Sequence, residues 1–238
     1  LKIRQSDKDG FALLPNNKTG LLFANKLSRM LVAQNRNLAN GSGVAVGDIN
    51  GDGLADVYFC GLQTDNKLFR NLGDWKFENV TQQSGTDGGG RVVFSSAWFD
   101  ANNDSWPDLY VINEFGDGIL YVNRQDGTFK EVDVDPKTDD FGSMGIATGD
   151  IDNNGHIDLY LGGMYSKAGS RVIGNLPEGI YPEEVVDKLD RLISGSEFYQ
   201  NNGELNFHAQ ASKLQIHDVG WAWGPTLADF NNDGWLDL

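Results

Sequence analysis

The sequence predicts an all-β chain, a β-propeller of four-stranded antiparallel blades, and three observations predict it. Four nine-residue loops of the pattern D-x-[ND]-x-[DN]-[GS]-x-x-D begin at Asp48, Asp100, Asp150 and Asp229, with starts 52, 50 and 79 residues apart. Around each loop the same order of short runs recurs, β-branched or aromatic and bounded by Gly, Asn or Asp, which is the signature of strands. Gly numbers 30 and apolar residues make up 39%, a mixture that suits many short strands joined by tight turns.

The elements follow in order. The stretches Val44-Ala45-Val46-Gly47, Ser96-Ala97-Trp98-Phe99, Ile146-Ala147-Thr148-Gly149 and Thr226-Leu227-Ala228 lead into the loops. Val57-Tyr58-Phe59, Leu109-Tyr110-Val111 and Leu159-Tyr160-Leu161 lead out of the first three. A third run enters a turn at 68–73, 120–123 and 198–203, and a short fourth occupies 77–80, 129–132 and 207–209. Each unit is therefore an antiparallel meander with its acidic loop between strands one and two. Radial repetition of such meanders buries sheet faces while leaving only short edges. The blades fall at about 43–81, 93–133 and 144–210, with the start of the next at 222–238.

The ends extend the pattern. Asp9-Gly10-Phe11-Ala12-Leu13-Leu14 matches Asp126-Gly127-Thr128-Phe129, so residues 11–14 are expected to form a fourth strand, and Thr19-Gly20 parallels Ser84-Gly85. The chain stops at Asp237-Leu238, where a second strand should begin. A single partial propeller domain over 1–238 is expected, cut from a longer ring of about seven blades, within the roughly four to eight usual for the fold. The wide last spacing holds an insertion at 162–195. Within it 182–194 reads as a helix: Pro182 at the first helical position, Glu183 and Glu184 at the positive end, Val185, Val186, Leu189, Leu192 and Ile193 along one face, and Gly195 as the stop.

The loops carry the chemistry. Ca²⁺ takes six to eight oxygens, and a loop with side-chain oxygens at positions 1, 3, 5 and 9 and a backbone carbonyl at 7 can wrap around it. The side chains are Asp48, Asn50, Asp52 and Asp56; Asp100, Asn102, Asp104 and Asp108; Asp150, Asp152, Asn154 and Asp158; and Asp229, Asn231, Asp233 and Asp237. The carbonyls are those of Leu54, Trp106, His156 and Trp235. Position 6 must turn sharply, which Gly53, Gly155 and Gly234 allow and Ser105 does not favour. Three carboxylates per loop suit Ca²⁺, at up to four sites, one per loop, better than Mg²⁺ with its retained waters. An EF-hand needs flanking helices and a Glu at position 12, where this chain has Phe59, Val111 and Leu161.

Composition agrees. The formal charge is -15, which argues against nucleic acid. The four loops hold twelve of the 34 acidic residues, so the excess of negative charge is concentrated where cations would sit. No apolar run is long enough to span a membrane. The start at Leu1 reads as processed or trimmed, and the oligomeric state is not legible. The one cysteine, Cys60, lies in an apolar run and reads as a buried thiol. The six Trp read chiefly as packing residues, and no H-E-x-x-H, G-x-S-x-G or P-loop pattern occurs, so no catalytic residue is assigned.

The segments GDINGDGLADVYF, GDIDNNGHIDLYL and ADFNNDGWLDL resemble FG-GAP/VCBS repeats, the calcium-loop blades of integrin α-subunit-type propellers. LFRNLGDWKFENVTQQSG and GWAWGPTLADFNNDGWLDL resemble more narrowly the bacterial propellers associated with ASPIC/UnbV domains, relatives of cartilage acidic protein. Ser105, the insertion and the lack of a downstream ASPIC-like region depart from that pattern. The resemblance implies an extracytoplasmic propeller (secreted, cell-surface or periplasmic) with structural calcium, concerned with adhesion or recognition. Meander geometry puts the calcium loops on one face. The connections at 61–66, 81–91, 113–118 and 132–143 and the insertion lie on the other, where a protein or glycan partner is expected. Two other readings stay open. One is a polysaccharide-active, lyase-like or carbohydrate-binding propeller; the other is an architectural module of a larger chain.

Overall fold

The computed structural model describes residues 12–113, 116–134 and 142–238. Two short helices, α1 (Asn16–Thr19) and α2 (Arg29–Gln34), precede the first sheet, β1 (Val44–Gly47), β2 (Asp56–Phe59), β3 (Lys67–Asn71) and β4 (Phe77–Asn79). A one-turn helix, α3 (Thr81–Ser84), leads to the second sheet, β5 (Val93–Phe99), β6 (Asp108–Asn113), β7 (Ile119–Asn123) and β8 (Phe129–Val132). The third consists of β9 (Gly145–Gly149), β10 (Asp158–Tyr165), β11 (Ser194–Asn201) and β12 (Phe207–Ala209). Helices α4 (Lys167–Ile173) and α5 (Glu183–Ile193) lie between β10 and β11, and α6 (Ala211–Leu214) follows β12. Each sheet is an antiparallel meander in chain order. The chain is all-β, with three four-stranded propeller blades.

Alternation along the strands decides how the blades stack. Every residue of β6 is buried. Leu109 and Val111 join Ala45, Tyr58, Cys60 and Leu68 of the first blade in one core. Tyr110 and Ile112, on the opposite face, join Leu159, Leu161, Tyr199 and Phe207 of the third in another. Successive side chains of a strand point to opposite faces, so the middle blade needs apolar residues at every position. Each fully buried Leu or Val there contributes roughly 1.5–3 kcal/mol. Glycine governs how close the inner strands come. A Cβ on Gly47 would lie 3.0 Å from the Trp98 ring of the next blade, and one on Gly149 would lie 3.3 Å from Leu227. Leu227 thus takes against the third blade the place that Trp98 takes against the first. The segment beyond is held by a bridge between Ala228 and Asp237.

Cys60 is buried and its Sγ lies 3.2 Å from Ser96 Oγ; burial pushes the thiol up to about 12. The parallel between Thr19-Gly20 and Ser84-Gly85 is structural: α1 and α3 end on Gly20 and Gly85, both in the left-handed region. Leucine and valine line α5 as expected, with Val185, Val186, Leu189 and Leu192 half-buried and Ile193 buried.

Four expectations need correcting. Residues 12–14 form no strand and are exposed, while Phe11 lies outside the described residues. A strand needs a neighbour to satisfy its backbone, and none of the three sheets takes residues 12–14 as one of its strands. Second, β10 continues to Tyr165, so the connection between strands is 166–193, and Gly162 and Gly163 lie inside a strand. They are there for close approach: a Cβ on Gly162 would lie 2.6 Å from the Ala222 carbonyl oxygen, and one on Gly163 would collide with the Gly195 carbonyl. Third, Pro182 is the N-cap of α5, in extended backbone, not its first helical residue. Fourth, Gly195 does not stop that helix, whose C-cap is Ser194; Gly195 sits in β11 with φ 112.

The topology separates two ends. Asn71 donates from β3 to Asp56, and Asn154 of the third loop donates to Asn201 O, so the β3–β4 type turns flank the acidic loops. At the other end Asn66 N–H donates to Asp87 O, and Val93 N–H to Gly61 O, joining the two-to-three and four-to-one connections. Parts of the connections 113–118 and 132–143 lie outside the described residues.

Candidate metal centre

The four loops share one backbone conformation because the same side chains make the same bonds. The first Asp of each accepts N–H groups from positions 5 and 6. Asp52 and Gly53 donate to Asp48, Asp104 and Ser105 to Asp100, Asn154 and Gly155 to Asp150, and Asp233 and Gly234 to Asp229. The residue at position 7 donates its N–H to the side chain at position 5: Leu54 to Asp52, Trp106 to Asp104, His156 to Asn154 and Trp235 to Asp233. Such bonds curl each loop back on its first Asp.

Ser105 adopts the conformation of its glycine counterparts. Its φ is 67, against 80, 87 and 89 at Gly53, Gly155 and Gly234. The second loop therefore keeps the geometry at a cost in strain, since a left-handed residue with a Cβ is disfavoured. Ser105→Gly is expected to stabilise the chain by about 0.5–1 kcal/mol, read as a raised urea midpoint at unchanged m. Position 4 is left-handed as well, at Gly51, Asn103, Asn153 and Asn232. Glycine and asparagine are the residues that tolerate this region, so the signal was present in the recurrent [GN] at that place.

The ninth residue behaves unlike the other ligand candidates. Asp56, Asp108 and Asp158 open β2, β6 and β10 and are wholly buried. Each accepts two backbone N–H groups, one from loop position 2 and one from an Asn at the end of strand three. Ile49 and Asn71 donate to Asp56, Ala101 and Asn123 to Asp108, and Ile151 and Asn201 to Asp158, at 2.6–3.0 Å. Asp237 of the fourth loop accepts from Phe230, at 3.0 Å. A third-strand Asn is expected from sequence to mark a turn; the structure makes it a partner of the ninth carboxylate.

In the third loop, carboxylate oxygens of Asp150, Asp152 and Asp158 lie within 4.8 Å of one another, a group able to hold a metal. Asn50, Asn102 and Asn231 occupy position 3 elsewhere, contributing an amide oxygen in place of that carboxylate. Among the described residues, none of the twelve loop carboxylates pairs with Lys or Arg; the ion pairs there are Lys67–Asp65 and Arg70–Glu78. A buried carboxylate without a cation resists ionisation. Burial pushes Asp108 up to about 6 and raises Asp56 and Asp158 from the usual carboxylate range, against the pull of their backbone donors. Asp229, in the more open fourth loop, is held low by N–H groups led by that of Gly234. All-oxygen donors, clustered acids and no paired Lys or Arg among the described residues fit a hard divalent ion, which Asp150, Asp152 and Asp158 could hold in the third loop.

A pH dependence follows. Because the folded chain holds the Asp108 proton more tightly than the unfolded chain, its contribution to metal-free stability is complete below about pH 3.8. It is lost as pH rises through about 6. A bound cation requires the ionised form. The gap between melting temperatures in calcium and in chelator should therefore widen from about pH 5 to about pH 7, as calorimetry would show. A constant gap would contradict it.

Three stretches, residues 48–111, 100–161 and 190–238, match the FG-GAP-like repeat and together cover about two thirds of the chain. The first two begin at Asp48 and Asp100 and end in the second strand after the following loop, so each spans one loop-to-loop period. No curated protein matches the sequence.

Proposed function

Because this chain belongs to the FG-GAP-like repeat family, we propose that it is a calcium-stabilised binding module, with metals that hold the blades rather than react. The observation that carries the reading is the buried ninth Asp, three times repeated, ionisable and without a protein cation beside it. A divalent ion in each loop would supply the missing charge. Its ligands come from one continuous segment, so binding energy becomes folding energy. Metal catalysis instead needs an open coordination position in a dry cavity.

Among the described residues no helix is long and apolar enough to cross a membrane. Sites of this class are filled at the calcium levels found outside the cytoplasm, which supports an extracytoplasmic location, secreted, periplasmic or at the cell surface.

The partner, a protein or a glycan, is placed on the end opposite the loops. Support comes from the connection 166–193, which carries a cleft of about 550 Å³ with an apolar floor of Ile173, Leu176 and Val186. Glu178, Glu183 and Asp187 line it as well, and Ile180 and Tyr181 are exposed beside them. Binding to immobilised glycan and protein panels, followed by alanine substitution, tests this. Changes at Ile180 and Tyr181 should weaken capture about tenfold or more, while changes at the exposed Asn232 and Trp235 of the fourth loop leave it intact. The reverse pattern would refute the placement, and turnover of an acidic polysaccharide would favour an enzyme.

A further inference from the structure

The buried aspartates are not isolated from one another. Loop position 2 uses both its backbone groups: the N–H donates to the ninth Asp of its own loop, and the C=O accepts from the next blade. Asn123 Nδ2 donates to Ile49 O at 2.9 Å, and Asn201 Nδ2 donates to Ala101 O at 2.9 Å. The same two Asn residues donate their own N–H groups to Asp108 and Asp158. The bonds therefore run without a break from Asp56 to Ile49, Asn123, Asp108, Ala101, Asn201, Asp158 and Ile151. Partners are 74 and 100 residues apart in the chain. Asn123 and Asn201 also donate to Pro107 O and Ile157 O of their own blades, so each amide clamps two loops at once.

The first blade supplies the comparison. Asn71 makes the bonds to its own blade, to Asp56 and to Ala55 O, but no preceding loop is present among the described residues for it to reach. It is half-buried, whereas Asn123 is 4% exposed and Asn201 0%. A second link runs over the surface, from Asn103 Nδ2 to Gly155 O at 2.7 Å and from Asn153 Nδ2 to Gly234 O at 3.2 Å.

We infer that Asn123 and Asn201 are positioning residues that couple neighbouring loops, so that closing one loop around its cation tightens the loop of the preceding blade. The inference rests on the calcium reading of the loops for its ligand, but the coupling itself is a property of the bonds. Ordering one loop fixes its ninth Asp, which fixes the strand-three Asn, which holds the carbonyl of position 2 next door. Buried polar chains of this kind respond as units, because in a low dielectric each missing partner is costly.

The test uses the full chain and Ca²⁺ itself, with hydrogen exchange and amide shifts read loop by loop. Asn123→Ala should weaken calcium binding in the first loop about fivefold or more, besides its effect in the second, and Asn201→Ala should do the same to the second loop. Asn71→Ala should act only within the first blade. Should the buried variants fail to fold, Asp104→Asn, at a half-buried ligand position of the second loop, should quicken amide exchange at Ile49 of the first loop in Ca²⁺, and unchanged exchange there overturns the coupling. Effects confined to each variant's own blade would overturn the coupling. A wild-type chain that takes up no Ca²⁺ would overturn the calcium reading instead. The metal-free exchange of the Ile49 amide would then decide the coupling: about fivefold faster in Asn123→Ala supports it, and unchanged exchange overturns it.

Discussion

Excess chelator should lower the melting temperature of this chain by about 10 °C or more. A site held about a thousandfold above its dissociation constant contributes about 4 kcal/mol to the folded state. For a chain of this size, 1 kcal/mol moves the transition by roughly 2–4 °C. Emptying one well-filled loop therefore accounts for the shift, and emptying several adds to it. The direction is set by charge. The loops bring twelve carboxylates to one end of the sheets with no Lys or Arg paired to them among the described residues, in a chain whose formal charge is -15. Calcium should restore the transition on readdition. A melting temperature indifferent to chelator would mean that the loops are held by their hydrogen bonds alone.

The largest effect of a single substitution is expected at Asp108. Asp108→Ala removes the acceptor of two backbone N–H groups, those of Ala101 and Asn123, deep between the first and third blades. Each buried donor left unsatisfied costs about 1–3 kcal/mol, so roughly 2–6 kcal/mol is expected from these two bonds before any lost cation. Asp237→Ala, at the half-buried counterpart with the one donor Phe230, should cost less than half as much. Urea unfolding of the two variants, compared at equal m, checks the ranking. Equal losses would show that the metal alone, and not the buried bonds, makes the ninth Asp important.

Much of this was legible in the residues. The loop spacing and the runs on either side predicted three meanders, and the loops do join the first and second strands of each. Helix α5 was legible from its acidic first turn and its apolar face. What escaped has identifiable causes. The pattern of residues 11–14 is that of a strand, but pattern does not supply the neighbouring edge a strand needs. Gly162 and Gly195 read as the bounds of an insertion, since glycine allows turns; here glycine allows backbones to meet, a fact visible only across the sheet. Helix α4, short and capped by Ser166 through Gly169, carries no strong periodicity to announce it.

At the site, the recurrent loops were legible and the wiring between them was not. Asp48, Asp100, Asp150 and Asp229 stand out as first positions, and the hydrogen bonds they accept are local. The bonds from Asn123 to Ile49 and from Asn201 to Ala101 join residues a blade apart, and only the stacking of sheets brings them together. Ser105 illustrates the opposite case: a departure from the pattern that the backbone absorbs without changing shape.

The most direct measurement is the calcium content of the folded chain, by elemental analysis after dialysis against buffered Ca²⁺. The account predicts uptake of up to four ions per chain, one for each loop, with Asp108→Ala losing one, and Mg²⁺ failing to replace them. A folded chain that retains no calcium above the dialysis buffer would contradict it.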